Sequence, residues 1–247
     1  EIERRVERCG INTEFVRLSD GLSRINVKLK SRQETEINAQ GPTIHGKDVA
    51  LLFQKLNQLA SGDILILSGN IPTSLPHDIY EKIIKYLKDR DVLCVVDATK
   101  ELLRNVLKYK PFLIKPNHLE LGELFGKELT TREEYIRHAR ILQEEGAQNI
   151  LISMAGKGAI LITEDGRIFH GKAPKGKVIN SVGAGDSMVA GFLAGYLQSH
   201  NYEDALNMGI AAGSASAFSS KLATIEEVNQ LLALDSKDKG RFEHDNN

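Results

Sequence analysis

Apolar positions change their period along this chain. Between 13 and 39 they recur every second residue, in Thr13-Glu-Phe-Val-Arg-Leu, Arg24-Ile-Asn-Val-Lys-Leu and Glu34-Thr-Glu-Ile-Asn. Period two marks strands with one face in solvent, and Asp20-Gly21 and Ser31-Arg-Gln supply turns between them. The segment 13–41 therefore predicts a small antiparallel β-sheet, free to cover something with its inner face. After Gly41-Pro42 the period lengthens, and Val49, Leu52, Phe53, Leu56 and Leu59 follow helical spacing. Ile64-Leu-Ile-Leu is a short continuous apolar run, as in a strand buried on both faces. Beyond it the pattern predicts helix 77–89, strand 92–96, helix 100–108, strand 112–115, helix 131–145 and strand 149–153. A hairpin follows (Ala159–Thr163, then Arg167–Phe169), and long helices over 184–199 and 203–218 close the series. Alternating strands and helices imply βαβ units, hence an α/β fold with a mostly parallel central sheet flanked by helices. On this reading 1–12 and 42–234 form the core, 13–41 is a β lid at its edge, and the polar tail 235–247 has no fixed structure.

Composition narrows the function classes. The chain has 32 Lys and Arg against 33 Asp and Glu, a formal net charge of −1, so nothing points to nucleic acid or an anionic membrane as partner. The 7 His show no metal-ligand spacing, and Cys9 and Cys94 are far apart, which argues against a zinc site or a disulfide framework. The apolar runs are about five residues long, against roughly 20 for a membrane helix. No signal-peptide pattern opens the chain. The expectation is a soluble, cytoplasmic globular protein.

In open α/β sheets ligands bind beyond the carboxyl ends of the strands, and four polar motifs fall there. Gly183-Ala184-Gly185-Asp186 follows a short apolar strand, Lys177-Val-Ile, and opens the helix carrying Met188, Val189, Phe192 and Leu193. Glycines allow a tight turn, and the first N–H groups of a helix make an anion hole suited to a transferring phosphoryl group. An aspartate in that first turn can accept the proton of an attacking hydroxyl. The same tetrapeptide also suits an ordinary helix start. Asn117 and Glu120 lie three apart on one helix face after Ile114-Lys115-Pro116. A carboxylate there can hold a magnesium-bound water, or the pair can simply be a capping box. Ser153-Met-Ala-Gly156-Lys157-Gly158 joins two apolar strands, as a nucleotide-phosphate loop or as a plain hairpin turn. Ser68-Gly69 ends a strand in a polar turn that could meet a sugar. A dinucleotide G-x-G-x-x-G loop would need glycine where Met188 stands, and no G-x-x-x-x-G-K-[ST] occurs.

Taken together and in this order, the motifs resemble the ribokinase/PfkB family of sugar kinases, over about 10–234. The resemblance implies Asp186 as base and Gly183, Ala184 and Gly185 as anion hole. It implies Asn117, Ser153, Gly156, Lys157 and Gly158 as ATP contacts, and Glu120 as a magnesium residue acting through water. Ser68 and Gly69 would be sugar contacts, and the wet sheet at 13–41 the family's lid. Within the family, Arg24-Ile-Asn-Val-Lys28, Glu34–Pro42, Asn180–Asp186 and Ala212–Ser219 look most like members acting on fructose 1-phosphate, with tagatose 6-phosphate kinases as near neighbours. Arg24 and Lys28, at i and i+4 on one lid strand, would then meet the phosphate already on the sugar. ATP, Mg²⁺ and a phosphosugar are the implied ligands, and the wet lid suits pairing of two copies. The family's first core strand and its G-G-K-G-x-N motif have no counterpart in 1–247, so the natural protein is expected to be longer at its N-terminus. Two rival readings remain: a nucleotide-dependent oxidoreductase, against which the incomplete loop speaks, and a non-catalytic sugar-phosphate binder on the same fold.

Overall fold

The computed structural model describes residues 1–30 and 34–244, without the side chains of Lys28, Lys30, 34–36 and 235–244. The period-two segment yields two strands, β1 (Asn26–Lys30) and β2 (Glu34–Asn38), antiparallel with Val27 opposite Ile37 and Leu29 opposite Thr35. Alternation places Val27, Leu29 and Ile37 on one face, and all three are exposed. The expected third strand at 13–18 does not form; those residues are irregular. Their ties are ion pairs to helices, Arg17 to Glu3 at 2.6 Å and Lys55 to Glu14, and alternation without a neighbouring strand to pair with makes no ladder.

The chain forms two compact units, one of Glu1–Leu65 with Gly69–Leu93 and one of Ile66–Ser68 with Cys94–Asn247. The division falls within the first two core strands rather than at residue 41. The first unit holds α1 (Ile2–Arg8), β1, β2, α2 (Gly46–Leu56) and α3 (Ile79–Leu87). Its two glycine turns bring 21–25 and 39–42 together: a Cβ on Gly21 would lie 2.6 Å from Pro42 Cβ.

The main sheet has six strands in the order β3 (Ile64–Ser68), β4 (Leu93–Asp97), β5 (Leu113–Ile114), β6 (Asn149–Ser153), β7 (Ala159–Ile162) and β8 (Ile168–Gly171). β4, β5 and β6 run parallel, and β7 and β8 add an antiparallel end. Val95, Val96, Leu113, Ile114, Ile150–Ile152 and Ile160–Ile162 are fully buried, as continuous apolar runs require under helices on both faces. β3 is the exception: it lies at the sheet's edge, with Leu67 buried and Ile66 45 % exposed, so it is not covered on both faces as its run predicts.

The helices of the second unit are α4 (Lys100–Val106), α5 (His118–Leu124), α6 (Arg132–Glu144), α7 (Ala184–Ser199), α8 (Tyr202–Phe218) and α9 (Ile225–His244). α9 is not foreseen by the periodicity, and it runs through 235–244, where the polar tail predicts no fixed structure. That stretch lacks proline, and its one glycine, Gly240, costs only about 1 kcal/mol relative to alanine, which a helix already begun can carry. The expected strand at 177–179 is also absent. Val178 and Ile179 are exposed, and the segment is held instead by the N–H groups of Ile179 and Asn180, which both donate to Ala217 O at 2.8 and 3.1 Å.

α7 and α8 approach so closely that side chains are excluded between them. A Cβ on Gly191 would lie 2.6 Å from Ala212 Cβ, on Gly195 2.9 Å from Ala205 Cα, and on Gly209 2.9 Å from Met188 O. Those gaps are below any real contact, so glycine is required there by space rather than by backbone angle.

Candidate phosphotransfer site

Residues from four strand ends of the second unit supply the candidate chemistry. Gly183 caps α7 with φ +80°, a left-handed turn that glycine adopts without strain. The Ala184 N–H donates to Ser181 O and the Ser187 N–H to Gly183 O. The N–H groups of Gly185 and Asp186 therefore have no acceptor inside the helix, as at any helix start. The preceding loop is fixed from α8: Ser216 Oγ donates to Ser187 Oγ at 2.8 Å, beside the Ala217 carbonyl already described. Asp186 itself is exposed in this first turn.

Next to it lies a buried ion pair that sequence reading did not select. Lys115, directly after β5, is 7 % exposed, and its Nζ is 3.2 Å from Oδ1 of Asp97 at the end of β4. A Cβ on Gly185 would stand 3.3 Å from Lys115 Nζ, so the ammonium reaches the first turn of α7. Burial raises the Asp97 carboxyl above its usual range; Lys115 pulls it back down, and the charges of Asp186 and Glu120 add to the rise. Asp97, Lys115, Glu120 and Asp186 thus share one electrostatic neighbourhood. The missed signal was local: Val96-Asp97 and Ile114-Lys115 each end a buried strand with a charge, and a charge there is retained only with a partner.

Asn117 and Glu120 form the capping box that their spacing allows. Asn117 Oδ1 accepts from the N–H groups of Leu119 and Glu120, both at 2.9 Å, and Glu120 Oε2 accepts from the Asn117 N–H at 2.7 Å. The second carboxylate oxygen of Glu120 takes no part in the cap. Among the described residues no three His, Cys, Asp or Glu side chains come together as a metal cage. That donor set fits a magnesium ion that keeps most of its waters and rides on phosphates, with one carboxylate reaching it through water.

Ser153–Gly158 is the hairpin connection of β6 and β7. Ser153 lies beside Asn117 in an isolated parallel bridge, and its N–H donates to Pro116 O. Gly156 and Lys157 are exposed. Gly158, at φ +95°, has no room for a Cβ against Gly171 O, so its glycine has a structural cause. At the turn after Ser68, Gly69 O accepts from the Tyr80 hydroxyl at 3.1 Å. Arg24 precedes β1 rather than lying in it, and its Nε donates to Asn26 Oδ1 at 2.8 Å. The expected pairing of Arg24 with Lys28 on one strand face lies outside the described residues, because the side chain of Lys28 does.

A cavity of about 290 Å³ opens along α8, lined among others by Phe169, Lys172, Asn207, Ile210 and Leu231. No helix among the described residues is long and apolar enough to cross a membrane.

A helix start beyond the strand ends of an α/β sheet, with a carboxylate in its first turn and a buried ammonium beside it, suits the class of phosphotransferases. Residues 1–228 match the model of the pfkB family carbohydrate kinases, and the chain belongs to that family. It is 50 % identical over 212 residues to a 1-phosphofructokinase of Bacillus subtilis, covering 86 % of this chain and 70 % of that protein. It is 34 % identical to a D-tagatose-1-phosphate kinase of Bacillus licheniformis, covering 90 % and 73 %; this relative is named for the 1-phosphate, where the sequence pointed to tagatose 6-phosphate. A crystal structure of a Staphylococcus aureus protein described as a candidate phosphofructokinase superposes with TM-score 0.83 at 38 % identity, covering 93 % and 74 %. A Thermotoga maritima ribokinase shares the fold with TM-score 0.76 at 22 % identity, covering 94 % and 76 %.

Proposed function

We propose that this chain transfers the γ-phosphoryl group of ATP to a hydroxyl of fructose 1-phosphate, giving fructose 1,6-bisphosphate, with Asp186 as general base. The observation that carries the reaction type is Asp186 in the first turn of α7, beside N–H groups that have no intrahelical acceptor. Those donors suit the charge that develops on a transferring phosphoryl group, and the carboxylate suits the proton that must leave the acceptor. Gly183, Ala184 and Gly185 form the anion hole in this reading. Asn117, Ser153, Gly156, Lys157 and Gly158 line the nucleotide phosphates. Glu120 would hold Mg²⁺ through water, and the ion would neutralise phosphate charge. Arg24, Lys28, Ser68 and Gly69 are the proposed sugar-side residues.

The cavity along α8 is the proposed seat of the nucleoside. Its α8 residues lie a few positions before Gly213, where a Cβ would be 3.0 Å from Ala184 O. At 1.5 Å per residue that is about 3–15 Å along the helix from the first turn of α7, within the span of a nucleoside triphosphate. Apolar walls with a few polar groups are what a base and ribose require.

The substrate is drawn from the relatives' names, and the identity to the 1-phosphofructokinase favours it. The second reading is tagatose 1-phosphate, favoured by the 34 % identical relative named for it. The two sugars carry the same phosphate and differ in configuration at one carbon, so they compete for one site. We also propose that two copies pair through the lid, because the Val27, Leu29 and Ile37 face is exposed and an apolar sheet face calls for cover. ADP release from purified protein with fructose 1-phosphate, tagatose 1-phosphate, tagatose 6-phosphate and fructose 6-phosphate is the deciding experiment. The largest kcat/KM should belong to fructose 1-phosphate. Binding of the sugar phosphates without ADP release would favour the non-catalytic binder instead.

A further inference from the structure

We propose that Ser187 and Ser216 are positioning residues of the transfer site: the hydrogen bond between their hydroxyls holds the first turn of α7 to the end of α8 and so aims Asp186 and the anion hole. The inference rests on the phosphotransfer reading above. Neither serine is assigned a reactant there; both act through the helix start.

The first turn of α7 has little of its own to hold it. Gly183 provides no side-chain cap, and Gly183, Ala184 and Gly185 offer a single methyl group for packing. Glycines let a phosphoryl group approach the backbone, and the same freedom leaves a turn poorly fixed. Asp186 is exposed, and Ser187 lies about 100° further round the helix axis, on the side of α8. A helical side chain leans over the turn before its own Cα, which for Ser187 is Gly183 and Ala184. A planar peptide joins Ser187 to Asp186, so what fixes one backbone also sets the direction of the other's Cα–Cβ bond.

The tie is made of buried parts. Ser216 is 2 % exposed. Its Oγ accepts from the Ala223 N–H at 3.1 Å and donates to Ser187 Oγ at 2.8 Å. The loop between α8 and α9 thus sets Ser216, and Ser216 sets Ser187. That loop is fixed in turn, because the Glu227 carboxylate accepts from Ser219 Oγ at 2.8 Å and from the Thr224 N–H at 2.7 Å.

Stability alone does not call for a hydroxyl at 187. Without it Ser216 would keep the Ala223 N–H as partner, and alanine would suit a helix crossing that is otherwise made of glycines and apolar groups. What the hydroxyl adds is direction: a hydrogen bond fixes a distance and an angle, which a methyl contact does not. At the turn that carries the proposed base, direction decides the rate.

The test compares parent, Ser187→Ala, Ser216→Ala, the double alanine variant and Ser187→Thr. It reads kcat and both KM values, with the sugar phosphate on which the parent is fastest, and the midpoint of urea unfolding. Ser187→Ala should lower kcat about 10- to 100-fold, as a misaimed group does, with the KM for ATP and the unfolding midpoint close to the parent's. Ser216→Ala should lower kcat equally, although it also strands the Ala223 N–H and so lowers the midpoint. Equal losses of kcat at unequal stability are what a merely structural role does not give. The double variant should be no slower than either single one, since the same bond is broken in all three. Ser187→Thr keeps the hydroxyl and should regain most of kcat. Losses of kcat that follow the unfolding midpoint, that add in the double variant, or that threonine leaves unrelieved overturn the proposal. Should Ser216→Ala not fold, the two variants at 187 decide it. A parent that releases no ADP with any of the sugar phosphates sinks the phosphotransfer reading and this inference with it. An active parent matched in kcat by Ser187→Ala sinks this inference alone.

Discussion

Asp186 and Asp97 are carboxylates of one neighbourhood with opposite settings, the first exposed and the second buried against Lys115. The proposed role of Asp186 is to take the proton of the acceptor hydroxyl. Asp186→Asn removes that capacity while keeping size and shape, so kcat should drop by about 10²–10⁴-fold, the usual share of proton transfer, with ADP affinity intact in calorimetry. Asp97 makes a different prediction, through stability. Burial holds its folded pKa above the unfolded value. Stability tied to this group is then fully present below the ordinary carboxyl pKa, about 3.9, and declines as pH rises through the raised folded value. Asp97→Asn carries no such proton. Urea unfolding at about pH 4 and pH 7 should therefore show the variant gaining on its parent as pH rises; a pH-independent difference would contradict the burial effect.

At the scale of elements, Glu120 belongs both to a capping box and to the proposed magnesium shell. Glutamine can serve at the third helical position of a capping box, so Glu120→Gln should keep the start of α5 and leave thermal unfolding nearly unchanged. Its magnesium requirement should rise, and a magnesium curve that overlays the parent's would leave Glu120 with the cap alone. The α7–α8 crossing predicts the reverse pattern. Gly191→Ala forces a methyl group to 2.6 Å from Ala212 Cβ and 2.7 Å from Met208 O, and such overpacking costs about 1–3 kcal/mol, which a denaturant titration would detect.

Legibility in the sequence divides along the same line between local and distant causes. β6 and the long pair α7 and α8 stand close to where periodicity and continuous apolar runs put them. The strands expected at 13–18 and 177–179 have the right local pattern and no neighbour to complete a ladder. Asn117 and Glu120 were visible as a spaced pair, because capping is local. Lys115 and Asp97 were not, because 17 residues of intervening chain separate partners that only adjacent parallel strands bring together.

On the scale of the whole molecule, the lid has one apolar face in the open, with Ile37 55 % exposed. If two copies pair through it, Ile37→Glu should shift the sedimentation coefficient toward that of a monomer of 27.3 kDa. The variant's β1–β2 ladder has solvent to accept the new carboxylate, so folding should survive. A parent that already sediments as a monomer would remove the lid pairing. The glycine-lined crossing has a consequence for heredity. Every amino-acid replacement reached by a single-base change of a glycine codon adds at least a Cβ, and Gly191, Gly195 and Gly209 have no space for one. In a library of all single substitutions selected for the proposed activity, these three positions should be depleted through lost stability, with alanine the mildest replacement; the exposed side of α7 should tolerate most replacements.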